Sequence, residues 1–224
     1  MSTIPKAKTG KRPYPKCRET SASRPYIHII PSKLTRLFRP DKGDSHNYKP
    51  HGKFGGCTKP ERAIRRLLKE AGAVGFTDDG LPVMNAGVMR KALAYSREFG
   101  VPIAQHAEDL HLSAGGCMNE GRVSAQLGVG GIPNAAEAVM VERDLLLAEL
   151  TGGQYHVLHI STAEAIDAVR RAKKRGLAKV SCEAAPHHFT LTDEAVLEYR
   201  TFSKLNPPLR ADKDRMAVIE GLKD

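Results

Sequence analysis

Val74-Gly75-Phe76-Thr77-Asp78-Asp79-Gly80 is an apolar run that stops abruptly at two adjacent carboxylates and a glycine. The same design recurs twice downstream. Val101-Pro102-Ile103-Ala104-Gln105-His106 ends in an imidazole, and Tyr155-His156-Val157-Leu158-His159 ends in another. Short apolar runs bounded by turn residues read as strands. Three strands, each with a metal-capable side chain at its C-terminal end, outline a metal site on a parallel sheet, because those ends form the active face of a β/α barrel.

Helical periodicity fills the intervals. Ile64, Leu67, Leu68 and Ala71 predict a helix leading into Val74. Asn85 is placed to cap a helix running to Gly100. His111 to Pro133 is Gly-rich and reads as a long loop with a short helix. Asn134 is expected to cap Ala135–Leu150, with Val139, Leu145, Leu146 and Leu150 along one side. Ser161 followed three residues later by Glu164 is a capping-box pattern for the next helix. That helix turns Ile166 and Val169 inward and its cluster of Arg170, Arg171, Lys173, Lys174 and Arg175 outward, a solvated face. Ala178–Glu183 reads as another strand, ending at Ala185-Pro186-His187-His188. A helix after Thr192, the loop Asn206-Pro207-Pro208-Leu209-Arg210 and a helix from Asp212 close the chain.

Residues 62–224 therefore read as successive strand–helix units, which implies parallel strands with right-handed crossovers. A closed eight-unit barrel takes about 250 residues, so the expected fold is α/β, a partial (β/α) TIM-type barrel. Residues 1–61 are of different texture. Residues 1–66 hold 17 Lys+Arg against 4 Asp+Glu, so the formal charge of +10 belongs to the N-terminal third. Its one apolar cluster, around Tyr26–Ile30, is too small to offset backbone entropy of roughly 1–2 kcal/mol per residue. A disordered or loosely packed segment is expected there. The charge is no argument that the main domain binds nucleic acid.

Cys17, Cys57, Cys117 and Cys182 stand far apart without a CxxC pair, which excludes a disulfide framework or structural zinc knuckle as the organising device and points to a reducing, cytoplasmic compartment. No apolar run approaches membrane-span length.

Asp79, His106 and His159 are the candidate metal ligands, a carboxylate and two imidazoles suited to zinc or a similar ion. Such an ion polarises a carbonyl and acidifies bound water, the chemistry needed to open an amide or imide. Asp78 is the supporting neighbour of Asp79. Strand alternation sets His156 and His159 on opposite faces. His187 and His188 read first as a structural strand-to-loop transition, and alternatively as groups that orient a substrate or ligand. Asn206 and Arg210 offer an amide and a guanidinium suited to a carboxylate- or imide-bearing substrate; the same Pro-Pro loop reads equally as a rigid connector.

The stretch Leu67–Asp224 resembles the middle of a bacterial type I dihydroorotase, in the amidohydrolase superfamily of metal-dependent hydrolases. The matching segments are Gly75–Gly80, Gln105-His106-Ala107-Glu108-Asp109, Asn119-Glu120-Gly121, Gly131-Ile132-Pro133, His156–Thr162, Ala185–His188 and Asn206–Arg210. The resemblance implies a distorted barrel with a Zn2+ site and the reversible cyclisation of N-carbamoyl-aspartate to dihydroorotate in pyrimidine biosynthesis. It implies Asp79 as the metal-bridging carboxylate, His106 and His159 as zinc ligands, and Asn206 as a substrate-binding amide. An Asp at position 79 favours this branch over hydantoinases and allantoinases. Implied partners are the small-molecule substrate and, among proteins, a second copy or aspartate transcarbamoylase, which a noncatalytic relative would scaffold. The departures are equally definite. The family's His-x-His pair is absent, since His28, His46 and His51 stand alone, and its general-base Asp would lie beyond Asp224. No catalytic residue is assigned, and little or no activity is expected of this chain.

Overall fold

The computed structural model describes residues 66, 68–78, 80–177, 179–197 and 201–224. The basic segment 1–61 and Asp79 lie outside them. Of the helix expected before Val74, only Arg66 and residues 68–70 are described, and these are helical.

Six strands and six α-helices follow: β1 (Phe76–Thr77), α1 (Ala86–Phe99), β2 (Ile103–Gln105), β3 (Met118–Asn119), α2 (Arg122–Leu127), β4 (Gly131–Ile132), α3 (Ala135–Thr151), β5 (Tyr155–Val157), α4 (Ala163–Lys174), β6 (Val180–Cys182), α5 (Pro186–Thr190) and α6 (Asp212–Gly221). Two 3-10 turns, Asp193–Val196 and Thr201–Ser203, stand where the sequence suggested a helix after Thr192. The main sheet has the order β1-β2-β5-β6, every pair parallel. Register places Phe76, Ile103, Tyr155 and Val180 in one row across it, all buried. Each crossover carries a helix, and α3 packs against α1 on one side and α4 on the other. All main-sheet strand C-termini therefore emerge at one end.

Local chemistry explains the helix ends. Asn85 Oδ1 accepts the Val88 N–H at 3.1 Å to open α1, and Gly100, at φ 63°, closes it. Gly153 answers a different constraint. A Cβ there would stand 2.3 Å from the Leu93 carbonyl oxygen, so only glycine lets the α3–β5 connection lie against α1. Gly153→Ala is expected to destabilise the fold by about 1–3 kcal/mol, read as a lower urea midpoint with an unchanged m-value.

Three sequence expectations need correction. The loop from His111 to Pro133 contains the small parallel sheet β3-β4. Its glycines permit this, since a Cβ on Gly131 would fall 2.4 Å from Glu120 Cα. Asn134 does not cap α3 through its side chain. Its Nδ2 donates instead to Glu164 (2.9 Å) and Asp214 (2.8 Å). The inward face of α3 is Ala136, Met140, Val141, Leu145 and Ala148, while Val139, Leu146 and Leu150 are exposed. Flanked by two helices, α3 needs small residues where they approach it.

Asp144 on α3 is fully buried behind the sheet. It pairs with Arg143 at 2.7 Å and accepts the Tyr155 hydroxyl at 3.2 Å. Arg143 also donates to the Val83 and Met84 carbonyls, both at 2.7 Å, which ties down the loop that follows β1. Burial lifts the Asp144 carboxyl to about 6, against the pull of Arg143 and Tyr155. A carboxyl raised on folding binds its proton more tightly in the native state, so its contribution to stability is present below the unfolded value near 3.9 and is lost as pH rises through about 6. Asp144→Asn removes that loss. The variant's stability relative to the parent should therefore improve between pH 4 and 7, by about 1–3 kcal/mol, in urea titrations across that range.

Candidate metal and substrate site

Three loops meet at the C-terminal end of the sheet. His106 follows β2 directly, His159 lies two residues beyond β5, and Asn206 belongs to the loop before α6. His106 Nδ1 and His159 Nε2 are 3.1 Å apart, with the rings edge-on at 71°. His106 is buried at 3% exposure. Its Nε2 lies 2.9 Å from Glu108 Oε2, and Asn206 Nδ2 donates to the same oxygen at 2.9 Å. The carboxylate only accepts, so His106 Nε2 carries the proton and Nδ1 presents its lone pair toward His159. Burial pushes the Glu108 carboxyl up, but hydrogen bonds from His106, Asn206 and Ser113 outweigh it and hold it at about 2.

His156 and His159 part as alternation requires. His156 Nδ1 pairs with Ser181 Oγ at 2.8 Å, on the other side of the strand. His188 is buried, and its Nε2 donates to the Pro207 carbonyl at 3.1 Å, so it braces the loop that carries Asn206. Burial lowers its imidazole to about 4 and keeps it neutral. His187 stacks edge-on against it with ring centroids 4.3 Å apart.

Arg210 departs from its expected place beside a substrate. It is buried at 4% exposure, and its guanidinium donates to Ser161 Oγ (3.2 Å), Asn119 Oδ1 (3.2 Å) and the Ile132 carbonyl (2.8 Å). Asn119 in turn donates to Asp193 at 2.8 Å. Asn206, four residues earlier, is exposed. The rigid loop thus divides its polar groups, one facing the site and one anchoring it from behind.

Glu108 and Glu137 were not singled out from the sequence. Glu108 was legible in principle, as an acidic residue two positions after a strand-end histidine. Glu137 lies on a helix 24 residues from Ser161, and nothing local marks it. Asp79 falls outside the described residues. Among those that are described, no group of three or more His, Cys, Asp or Glu side chains is placed to hold a metal. No described helix is long and apolar enough to cross a membrane.

Two imidazole nitrogens on one tetrahedral zinc, each at about 2.0–2.1 Å, stand roughly 3.3 Å apart. His106 and His159 approach that separation. A carboxylate holding the far nitrogen of a ligating histidine is the usual support for such a ligand, and Glu108 holds His106 in this way. The donor chemistry fits a divalent metal.

The fold has close structural counterparts. A D-hydantoinase crystal structure superposes with a TM-score of 0.60 at 23% identity, over 74% of this chain and 38% of that one. The L-hydantoinase (dihydropyrimidinase) from Arthrobacter aurescens gives 0.61 at 23% identity, over 75% and 39%. The likeness is one of fold: the parallel α/β unit superposes on part of each of these structures. Sequence narrows it. Residues 59–165 match the family model described as Dihydro-orotase-like. The chain is 60% identical over 158 residues to a dihydroorotase of Wolbachia sp. subsp. Drosophila simulans (strain wRi), covering 70% of this chain and 36% of the relative. It is 55% identical over 174 residues to that of Anaplasma phagocytophilum (strain HZ), covering 76% and 39%. It is 59% identical over 169 residues to that of Pelotomaculum thermopropionicum, covering 75% and 39%. Over this stretch the chain resembles part of a dihydroorotase, and it spans between a third and two fifths of the length of these relatives.

Proposed function

We propose that the chain carries part of the site of a zinc-dependent cyclic amidohydrolase of the dihydroorotase type, acting in the cytoplasm on dihydroorotate and N-carbamoyl-aspartate. The observation that carries the reading is the approach of His106 Nδ1 to His159 Nε2, with Glu108 holding the opposite nitrogen of His106. In this reading His106, His159 and Asp79 hold the ion. Bound zinc supplies Lewis-acid polarisation of the ring carbonyl and acidifies water.

The protein's own groups do the rest. Glu108 fixes the tautomer and orientation of His106. Asn206, exposed at the mouth of the site, turns its amide from Glu108 toward a substrate carboxylate or imide oxygen. His188 and Arg210 hold the Asn206 loop from below. Glu108 is engaged by His106 and Asn206 and is not free to act as a general base. With no general base assigned among its residues, the chain on its own is expected to bind substrate without turning it over at a measurable rate. Turnover of dihydroorotate that disappears in Asp79→Ala would contradict that expectation.

Binding is the test of the reading. N-carbamoyl-aspartate should bind the zinc-loaded chain in calorimetry, and Asn206→Ala should raise its Kd about tenfold, the loss of one hydrogen bond of roughly 1–1.5 kcal/mol. Equal affinity in the parent and in Asn206→Ala would remove Asn206 from the substrate site.

A further inference from the structure

The backbone that carries His159 is unusual, and a single buried carboxylate holds it. His159 has φ of 35°, a positive value uncommon for any residue with a side chain and the only one outside glycine among the described residues. The strand pairing changes partner across it. Leu158 N–H donates to the Gln105 carbonyl at the end of β2 at 3.1 Å, and Ile160 N–H donates to the Glu183 carbonyl after β6 at 2.8 Å. The next two residues turn all their donors to Glu137. Ser161 N–H reaches Oε1 at 3.0 Å, Thr162 N–H reaches Oε1 at 3.0 Å, and Thr162 Oγ1 reaches it at 2.8 Å. The Ser161 hydroxyl donates to Oε2. Glu137 sits on α3 at 3% exposure. The capping-box pattern at Ser161 is overridden for this reason: the donors of Ser161 go to Glu137, and Thr162 caps α4 instead, accepting from Ala165 N–H at 3.3 Å.

The network continues to the other side of the site. Ser161 Oγ gives its hydrogen to Glu137 and accepts from Arg210 Nε. Arg210 thereby brings positive charge toward the buried carboxylate and links the His159 turn to the loop that bears Asn206.

We infer that Glu137 is a positioning residue for His159. Its carboxylate gathers the four donors of Ser161 and Thr162, holds the turn in its strained form, and so keeps His159 Nε2 aimed at His106. The inference rests on the reading of His159 as a metal ligand and adds the group that sets its aim. A carboxylate suits the task because it accepts from every direction. A glutamine of the same shape turns an NH2 toward groups that are themselves donors.

The test uses the full chain with labelled histidine rings, comparing Glu137→Gln, Ser161→Ala and Asp144→Asn, with His159→Ala to assign the signal. Glu137→Gln is expected to move or split the His159 ring resonance in the metal-free protein. It should also weaken Co2+ affinity about ten- to hundredfold. Ser161→Ala should do the same to a smaller degree, and it carries the test alone if Glu137→Gln does not fold. Asp144→Asn removes another buried carboxylate of α3, outside this network, and should change stability while leaving the His159 ring and Co2+ affinity in place. A His159 resonance unchanged in Glu137→Gln and in Ser161→Ala overturns the inference, whatever the metal does. A resonance that moves in a protein whose Co2+ binding is indifferent to His159→Ala upholds the clamp and overturns the metal reading.

Discussion

Arg210→Ala is expected to lose a large part of the stability of the fold, about 3–5 kcal/mol, against a total of roughly 5–15 kcal/mol for a domain of this size. Burial opposes the charge on this guanidinium, and Glu137, Asp214, Glu164 and Glu108 sustain it. Removing it leaves the Ile132 carbonyl and Asn119 Oδ1 without their donor in a site closed to water. It also strips Glu137 of its compensating charge. Each buried orphan costs about 1–3 kcal/mol. Urea unfolding followed by circular dichroism reads the loss directly. Arg210→Lys should recover only part of it, because an ammonium cannot span Ser161, Asn119 and Ile132 with the geometry of a planar fork. A variant within about 0.5 kcal/mol of the parent would show that Arg210 is not an anchor and would return it to the substrate side.

His159→Ala is expected to reduce zinc affinity at least about a hundredfold, as removal of one of three protein ligands should. Stability without metal should change far less, because His159 is only half-buried. His106→Ala should match it in metal affinity but also destabilise the metal-free fold, since it leaves Glu108 without its buried donor. His156→Ala, on the opposite face of the same strand, should leave zinc affinity unchanged. Competition with a chromophoric chelator gives all three constants. A large loss in His156→Ala and none in His159→Ala would invert the assignment.

The alternation of apolar strands ending in polar groups carried the parallel sheet and the placement of His106 and His159 at one end, because period and chain direction are local properties. The Asn85 cap and the Gly100 stop were legible for the same reason. The sequence left Arg210 between substrate donor and rigid connector because exposure is not local. Its loop sequence suits a substrate site, and only the convergence of Asn119, Ile132 and Ser161, from 49 to 91 residues away, draws the guanidinium inward. The face of α3 was misread because helices on both sides decide it, while periodicity reports one. Ser161 shows the same competition within a single motif, where a buried carboxylate on another helix outbids the local capping box.

The central claim is that His106 and His159 share one divalent ion. X-ray absorption on the zinc-loaded full chain tests it most directly. The expected spectrum has a first shell of nitrogen and oxygen at about 2.0–2.1 Å, with outer-shell scattering from two imidazoles that falls to one in His159→Ala. A sulfur shell near 2.3 Å, which would place the ion on a cysteine, or an imidazole pattern unaltered in His159→Ala, would contradict it.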